Sequence, residues 1–201
     1  MFVRRPTPGM TKTRLIPALG AEGAAEFYRG MAERVAAVVL AVDRPALRRI
    51  AYFDPAGAGE EVATWLGSGF DYVPQPDIAL GERLVRGFED AFEHDAESAV
   101  AVGTDCVEIT PELLAEAFDA MAGPHGRSAV VGPASDGGYW LIGLRRPRPE
   151  VFPAVFTGIE WSTPRVTEQT LTRLSAAGAT VHLLPELRDI DRPEDLARPA
   201  P

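Results

Sequence analysis

Short apolar runs alternate along this chain with segments whose apolar side chains recur at helical spacing. The apolar runs predict strands at residues 1–3, 49–54, 70–73, 99–103, 128–131, 140–144 and 180–184. The amphipathic segments predict helices at residues 21–41, 60–66, 80–92, 111–121 and 163–176, with a short helix from residue 193. Strands followed by helices in this order are typical of a mostly parallel sheet covered by helices, so we expect an α/β fold.

Length and composition set the class of protein. The chain has 201 residues, of which 46% are hydrophobic and 24% charged, so we expect one globular domain spanning residues 1–201. No apolar run approaches the roughly 20 residues that span a bilayer, and the first residues lack an apolar leader segment, so we expect a cytoplasmic protein that binds no membrane. Cys106 is the single cysteine, which excludes an internal disulfide and disfavours redox chemistry; we expect it to be a small buried residue.

Charge is distributed unevenly along the chain. The net charge of −9 disfavours binding to nucleic acid, because such surfaces need clustered cations. The first 21 residues nevertheless contain Arg4, Arg5, Lys12 and Arg14 and no acid. Lys12 is the only lysine among 20 basic residues, and a compact ammonium on a flexible stem is suited to holding a phosphate. The alternative is an accident of composition.

The loop predicted after the first strand, residues 6–15, is punctuated by proline and glycine. Around Pro8 and Gly9 such a loop can expose backbone N–H groups to phosphates, with Lys12 and Arg14 supplying charge on the same side. The spacing matches neither a P-loop nor a dinucleotide fingerprint, which disfavours a kinase or a dehydrogenase. The alternative is a surface loop whose cations are only solvated.

Two carboxylates are candidates for a metal site. Asp105 directly follows an apolar strand, at the sheet edge where α/β proteins form ligand crevices, and Mg²⁺ prefers one or two carboxylates together with substrate phosphates. Asp105 could instead cap a turn before the next helix. Asp189 and Asp191, two apart on an extended segment, would point the same way and could complete a carboxylate set with Asp105, or could be solvated.

A glycine-rich turn, residues 136–139, lies between two predicted strands. Gly137 and Gly138 would let a ligand approach the backbone closely, and Tyr139 or Trp140 could stack on a base or sugar. The alternative is a type I′ hairpin turn, which Asp136 followed by glycine also favours. The two interpretations are compatible, because a hairpin that joins residues 128–131 to residues 140–144 could present the site.

Several phrases together resemble one family. They are Pro-Thr-Pro-Gly at 6–9, Lys-Thr-Arg-Leu at 12–15, Leu-Gly-Glu-Arg at 80–83, Gly-Thr-Asp-Cys at 103–106, Gly-Pro-Ala-Ser-Asp-Gly-Gly-Tyr-Trp-Leu-Ile-Gly-Leu at 132–144, Trp-Ser-Thr at 161–163 and Asp-Ile-Asp at 189–191. In order and spacing they resemble the radical-SAM/selenodomain-associated bacterial transferases, a branch of the nucleotide-diphospho-sugar transferase (GT-A) superfamily, over essentially the whole chain. The phrase at 12–15 is also similar to the phosphate-side loop of the phospholactate guanylyltransferases.

The resemblance implies a single-domain, GT-A-like (Rossmann-like) α/β fold with a mixed, mostly parallel sheet flanked by helices. It implies a transferase that uses a nucleotide or nucleotide-sugar donor and a small-molecule acceptor, with Mg²⁺ or Mn²⁺ on Asp105 and, by analogy, on Asp191. Lys12 and Arg14 would stabilise charge that develops on the phosphates, and Asp136 would orient the acceptor or sugar. The residues expected to bind the nucleotide are Pro8, Gly9, Lys12, Arg14, Arg83, Thr104, Gly137, Gly138 and Tyr139.

Three functions remain open from the sequence. Glycosyl transfer is slightly favoured, and the alternatives are nucleotidyl transfer with release of pyrophosphate and a module that binds nucleotide without turnover. Two departures from the family bear on the last of these. Val107 stands where the family usually has proline, which would loosen the turn that aims Asp105, and relatives carry several apolar residues before the position of Phe2, so we expect a short first strand or a chain start placed downstream of the true one.

Overall fold

Strands and helices alternate along the residues that the structure, a computed structural model, describes, which are 1–146 and 152–197. The strands are β1 (Phe2–Arg4), β2 (Ile50–Asp54), β3 (Asp71–Pro74), β4 (Ser98–Val102), β5 (Ala129–Pro133), β6 (Tyr139–Arg145) and β7 (Val181–Leu183). The helices are α1 (Ile16–Ala41), α2 (Gly59–Leu66), α3 (Leu80–Glu93), α4 (Pro111–Met121), α5 (Val166–Ala176) and α6 (Pro193–Leu196). Short 3₁₀ turns occur at Thr13–Leu15, Ala56–Ala58 and Pro153–Val155. The α/β class and the order of elements predicted from the sequence are confirmed.

Contacts divide the chain into two compact units. The first unit comprises Met1–Gln75, Gly103–Pro111 and the described residues from Arg188 onward. The second unit comprises Pro76–Val102 and the described part of Glu112–Leu187. Both units are therefore discontinuous in sequence, and the single domain expected over residues 1–201 stays a prediction.

The first unit contains a three-stranded parallel sheet in the order β1-β2-β3. Phe2 pairs with Tyr52 and Ile50 pairs with Asp71, so the three strands end at the same edge. β1 has only three residues, as expected from its short apolar run. The loop after β1 leads into α1. Within α1 the backbone departs from helical geometry at Gly20, with φ 72° and ψ 172°. This break explains why the apolar periodicity predicts a helix only from residue 21.

The second unit contains a four-stranded sheet in the order β4-β6-β5-β7. Strand β6 is antiparallel to both β4 and β5, whereas β5 and β7 are parallel. The hairpin predicted between residues 128–131 and 140–144 is therefore confirmed, because Ala129 pairs with Leu144. With the all-parallel sheet of the first unit, these pairings give the mixed, mostly parallel strand arrangement that was expected.

The predicted apolar face of α3 packs in an aromatic cluster of the second unit. Phe88 stacks on Phe156 with ring centroids 5.6 Å apart, and Phe92 meets Phe152 edge to face at 5.8 Å. Leu84 and Phe88 are almost fully buried. No helix in residues 1–146 and 152–197 has the length and apolarity needed to cross a membrane.

Candidate functional site

Lys12 is the centre of the candidate site in the first unit. Its side chain is only 6% exposed, and its ammonium donates to the carbonyl oxygen of Ile190 at 2.7 Å. The same nitrogen lies 3.0 Å from Asp105 Oδ1 and 3.5 Å from Asp191 Oδ1. The ammonium therefore makes two hydrogen bonds and a further ion pair. The alternative that this lysine is merely solvated is therefore wrong.

The backbone of Lys12 is left-handed, with φ 48° and ψ 48°. A residue that carries a Cβ adopts this conformation at a cost of about 1 kcal/mol or more. The conformation turns the chain into the 3₁₀ turn that follows, in which Leu15 is fully buried. Strained residues of this kind concentrate at functional sites, so the backbone also favours a functional role for this loop.

Asp191 is paired with two cations. Arg14 Nη1 donates to Asp191 Oδ2, while the Lys12 ammonium approaches Oδ1. Partial burial alone would raise the pKa of Asp191, but the hydrogen bond from Arg14 and the charges of Lys12 and Arg14 outweigh it and hold the pKa below its ordinary value. Asp191 is therefore an anion at neutral pH.

Buried neighbours position Asp105, whose own side chain is 55% exposed. Thr104 and Cys106, on either side of it, are buried. The Tyr28 hydroxyl accepts a hydrogen bond from the backbone N–H of Arg4 at 2.8 Å and lies 3.1 Å from Thr104 Oγ1. Helix α1 thus ties the end of β1 to the segment that carries Asp105. The burial of Cys106 agrees with its expected role as a small packed residue.

The segment around Asp105 is also tied to the segment around Asp191. Arg188 Nε and Nη2 donate to Glu108 Oε1 at 3.0 and 2.7 Å, and the backbone N–H of Ile190 donates to the carbonyl oxygen of Asp105 at 3.0 Å. Arg34 Nε donates to the carbonyl oxygen of Val107 at 2.6 Å. The turn around Val107 is therefore held by side-chain hydrogen bonds.

We expect the Tyr28→Phe variant to lower the free energy of unfolding by about 1–3 kcal/mol, because the substitution removes the partner of one buried backbone N–H and of the Thr104 hydroxyl. Burial raises the pKa of Tyr28 to about 12 from 10.0. A pKa raised on folding gives stability that is fully present below pH 10 and lost as the pH rises through 12. Urea unfolding at pH 8 and pH 11 should therefore show a smaller alkaline loss for the variant than for the wild type. Equal stability of the two proteins at both pH values would contradict this role for Tyr28.

The two carboxylates fit a hard divalent cation. Mg²⁺ is commonly held by one or two carboxylates, with phosphates and water completing its coordination. Within residues 1–146 and 152–197, no three or more His, Cys, Asp and Glu side chains converge as a metal-binding group. The protein can therefore offer an incomplete set of ligands, of the kind that suits a metal arriving with phosphates.

The loop that precedes Lys12 is closed by two threonines. Thr11 Oγ1 accepts from the backbone N–H of Thr7 at 3.0 Å and donates to the carbonyl oxygen of Arg5 at 3.2 Å. Pro8 and Gly9 at its tip are exposed, and Gly9 has φ +76°. The predicted phosphate loop thus has a fixed base and an accessible tip.

The predicted turn at Asp136 lies in the second unit. Ala134 N–H donates to the carbonyl oxygen of Gly138 at 2.9 Å, and Gly137 has φ +88°. Neither Ser135 nor Asp136 has a positive φ, so the two-residue type I′ turn is wrong, and the loop is a three-residue connection ending in a left-handed glycine. Asp136 Oδ1 accepts from the N–H of Gly138 at 2.7 Å. The exposed Asp136 carboxylate therefore stabilises the turn in which it lies.

The two aromatic residues after this turn have different environments. Trp140 is 2% exposed, and its indole N–H donates to the carbonyl oxygen of Pro185 at 3.2 Å. The hypothesis that Trp140 stacks on a base or sugar is therefore wrong. Tyr139 meets Trp161 edge to face with centroids 6.3 Å apart, and its buried hydroxyl lies near that of Thr170 without a well-aligned hydrogen bond between them. Burial raises the pKa of Tyr139.

Arg83 belongs to the second unit. Its Nε donates to the carbonyl oxygen of Ile78 at 2.8 Å, and its side chain is 19% exposed. Nearby, a Cβ added to Gly81 would lie 2.8 Å from the carbonyl oxygen of Phe156 and 2.9 Å from Trp161 Nε1. The phrases at 80–83 and 161–163 therefore meet within this unit, through Gly81 and Trp161.

The free energy of unfolding of the Tyr139→Phe variant is expected to lie within about 0.5 kcal/mol of the wild-type value, because removing a buried hydroxyl whose contact with Thr170 is poorly aligned costs little. The Thr170 hydroxyl beside it is likewise buried, and within the described residues it makes no well-aligned hydrogen bond. Urea unfolding at pH 7, with Tyr28→Phe as the matched comparison, measures the contrast. A loss above about 2 kcal/mol would show that the Tyr139 hydroxyl is hydrogen bonded in solution.

Sequence analysis missed Tyr28, Glu108 and Arg188. A tyrosine within an apolar helical stripe needs a partner for its hydroxyl, which was a usable signal for Tyr28. Glu108 and Arg188 carry opposite charges close to the two predicted metal ligands, but their sequence separation gave no reason to pair them. The first unit thus brings together Lys12, Arg14, Thr104, Asp105 and Asp191, and the second contains Arg83 and the turn at 136–139.

Comparison with known proteins supports the fold and the family. The profile of an uncharacterized protein family conserved in bacteria, DUF2064, matches residues 33–163. A crystal structure from Desulfovibrio desulfuricans G20, provisionally described as a nucleotide-diphospho-sugar transferase, is 31% identical, with a TM-score of 0.84 over 95% of this chain and 80% of that one. No protein of curated function matches significantly in sequence.

Two more distant structures share the fold alone. CMP:2-keto-3-deoxy-manno-octonic acid synthetase complexed with CTP is 14% identical, with a TM-score of 0.60 over 97% of this chain and 92% of that one. The homolog of Mycobacterium tuberculosis rv0371c from Mycobacterium sp. strain JC1 is 20% identical, with a TM-score of 0.52 over 83% of this chain and 78% of that one. The expected nucleotide-diphospho-sugar transferase type of fold is therefore confirmed.

Proposed function

We propose that this chain, which belongs to the DUF2064 family of bacterial proteins, is a nucleotide-dependent transferase whose donor phosphates bind beside Lys12. The observation that carries the proposal is the buried ammonium of Lys12, which lies 3.0 Å from Asp105 Oδ1 in a strained backbone. A lysine held this way, next to a loop with an accessible tip, is suited to receive a phosphate.

The roles of the charged residues follow from their contacts. Lys12 and Arg14 stabilise negative charge that develops on the phosphate during displacement at phosphorus or at an anomeric carbon. Asp105 and Asp191 are the residues that would hold Mg²⁺ or Mn²⁺. Such an ion, when bound, neutralises diphosphate charge. Tyr28 and Glu108 position the Asp105 segment without contacting the reactants.

Glycosyl transfer is the reaction we favour, because the 31% identical relative is provisionally described as a nucleotide-diphospho-sugar transferase. Nucleotidyl transfer is the second candidate, supported by the similarity of residues 12–15 to the guanylyltransferase loop. Membership of the radical-SAM-associated branch is part of the same proposal. The roles expected for Pro8, Gly9, Arg83, Thr104, Asp136, Gly137, Gly138 and Tyr139 remain predictions.

A thermal-shift screen tests the proposal. The purified protein is melted with nucleoside triphosphates and with nucleotide sugars, each with and without Mg²⁺ or Mn²⁺. A ligand that binds only the folded state raises the melting temperature by mass action. A metal-dependent rise confined to one nucleotide sugar supports glycosyl transfer, and one confined to triphosphates supports nucleotidyl transfer. No rise with any nucleotide would contradict the proposal.

A further inference from the structure

We infer that Lys12 is the resident cation of the Asp105–Asp191 pair, and that it keeps a free divalent metal ion off these carboxylates until phosphates draw its ammonium away. The inference rests on the proposed function, because it concerns the order in which that site is loaded. It predicts that metal and nucleotide enter together and that the metal alone binds poorly.

The contacts show how little of the carboxylate pair is left for a metal ion. The Lys12 ammonium lies against one oxygen of each carboxylate, at 3.0 Å from Asp105 Oδ1 and 3.5 Å from Asp191 Oδ1. The other oxygen of Asp191 accepts a hydrogen bond from Arg14. A metal ion using both carboxylates would therefore have to share the oxygens of Asp191 with two cations.

The charges of the side chains at the site also disfavour binding of a free divalent ion. Two cationic and two anionic side chains already balance at the site, so a free divalent ion would add uncompensated positive charge. Like charges in close contact repel strongly in the partly screened environment near a protein surface. A nucleotide's phosphates remove this penalty, because they bring the missing negative charge.

The geometry also gives Lys12 a way to move. Its third partner is a backbone carbonyl, that of Ile190, at 2.7 Å. This carbonyl carries no charge and does not depend on the carboxylates. The ammonium can therefore keep this contact and exchange its carboxylate contacts for phosphate oxygens through rotation of its flexible stem. No covalent bond is made or broken in this exchange.

The sequence makes a direct test available, because Lys12 is the only lysine in the chain. Protein labelled with ¹⁵Nζ- and ¹³Cε-lysine, carrying no lysine in any tag, gives one side-chain signal. We expect Mg²⁺ alone at millimolar concentration to leave that signal unchanged, and Mg²⁺ with inorganic pyrophosphate to shift it. An equal shift with Mg²⁺ alone would overturn the inference.

Variants provide a second readout, the affinity for Mn²⁺ alone measured by electron paramagnetic resonance. The Lys12→Gln variant removes the charge but keeps an N–H donor, and we expect it to bind Mn²⁺ at least about tenfold more tightly than the wild type. Lys12→Arg keeps the charge and should bind as weakly as the wild type. Adding Asp105→Asn to Lys12→Gln should abolish the gain. Equal Mn²⁺ affinities of Lys12→Gln and the wild type would also overturn the inference.

The two proposals fail differently. If metal alone moves the lysine signal while nucleotides still bind with metal, the loading order is wrong and the transferase stands. If neither pyrophosphate nor any nucleotide binds with metal, the proposed function is wrong. The lysine signal uses the wild-type chain, so the test holds even where a variant fails to fold.

Discussion

The Asp105→Asn variant is expected to lose turnover by about 10²- to 10³-fold while remaining folded. Asparagine has nearly the shape of aspartate and its amide oxygen can still accept from Lys12, but it brings no negative charge to hold a cation beside the phosphates. The product formed with the donor identified in the thermal-shift screen measures the effect.

A matched control separates this effect from a general change in surface charge. Asp71→Asn alters an exposed carboxylate of the same unit, which pairs with Arg48 at 2.7 Å. Exposed ion pairs contribute about 0–1 kcal/mol, so this variant should keep full activity and stability. Undiminished turnover in Asp105→Asn would show that Asp105 holds no catalytic cation.

Gly137→Ala is expected to lower the free energy of unfolding by about 3 kcal/mol or more. A Cβ there would lie 2.2 Å from the carbonyl oxygen of Pro164, and Gly137 has φ +88°, which an L side chain adopts only under strain. The backbone N–H of Thr167 also donates to the carbonyl oxygen of Gly137 at 2.9 Å, so Pro164 has little freedom to withdraw. Urea unfolding measures the loss.

The neighbouring glycine is the natural control. Gly138 has no positive φ, and a Cβ there would first meet Asp136 Oδ1 at 3.0 Å, the end of a side chain that can shift. We expect Gly138→Ala to change the free energy of unfolding by less than about 1 kcal/mol, because the lower entropy of the unfolded chain offsets the small shift of Asp136. If the two variants cost the same, backbone crowding against Pro164 does not hold the hairpin in place.

The sequence predicted the elements well because their signals are local. Periodicity placed each strand and helix within a few residues, and the hairpin followed from two apolar runs around paired glycines. The sequence did not predict the type of turn, because Asp-Gly occurs in both two-residue and three-residue loops. It also did not predict the division into two units, which depends on contacts between distant segments.

For the candidate site, the sequence identified the participants but not their arrangement. Lys12, Asp105 and Asp191 were predicted as one site, and the structure brings them within hydrogen-bond or ion-pair distance. That the lysine itself lies between the carboxylates could not be read from spacing, because it depends on where the Ile190 carbonyl lies. Trp140, one of the two aromatic residues offered for stacking, lies in the core because it packs against Pro185, a contact that gives no sequence signal.

The discontinuity of the first unit has a consequence for biosynthesis. A ribosome makes the Lys12 loop before the Asp105 segment, and adds Ile190 and Asp191 only after the whole second unit. Until then the Lys12 ammonium lacks two of its three partners, the Ile190 carbonyl and the Asp191 carboxylate. The Arg14 guanidinium likewise lacks its partner, Asp191. The contacts of the Lys12 loop are therefore completed only after the second unit has been made, and a nascent chain stalled before residue 188 would carry an unassembled site.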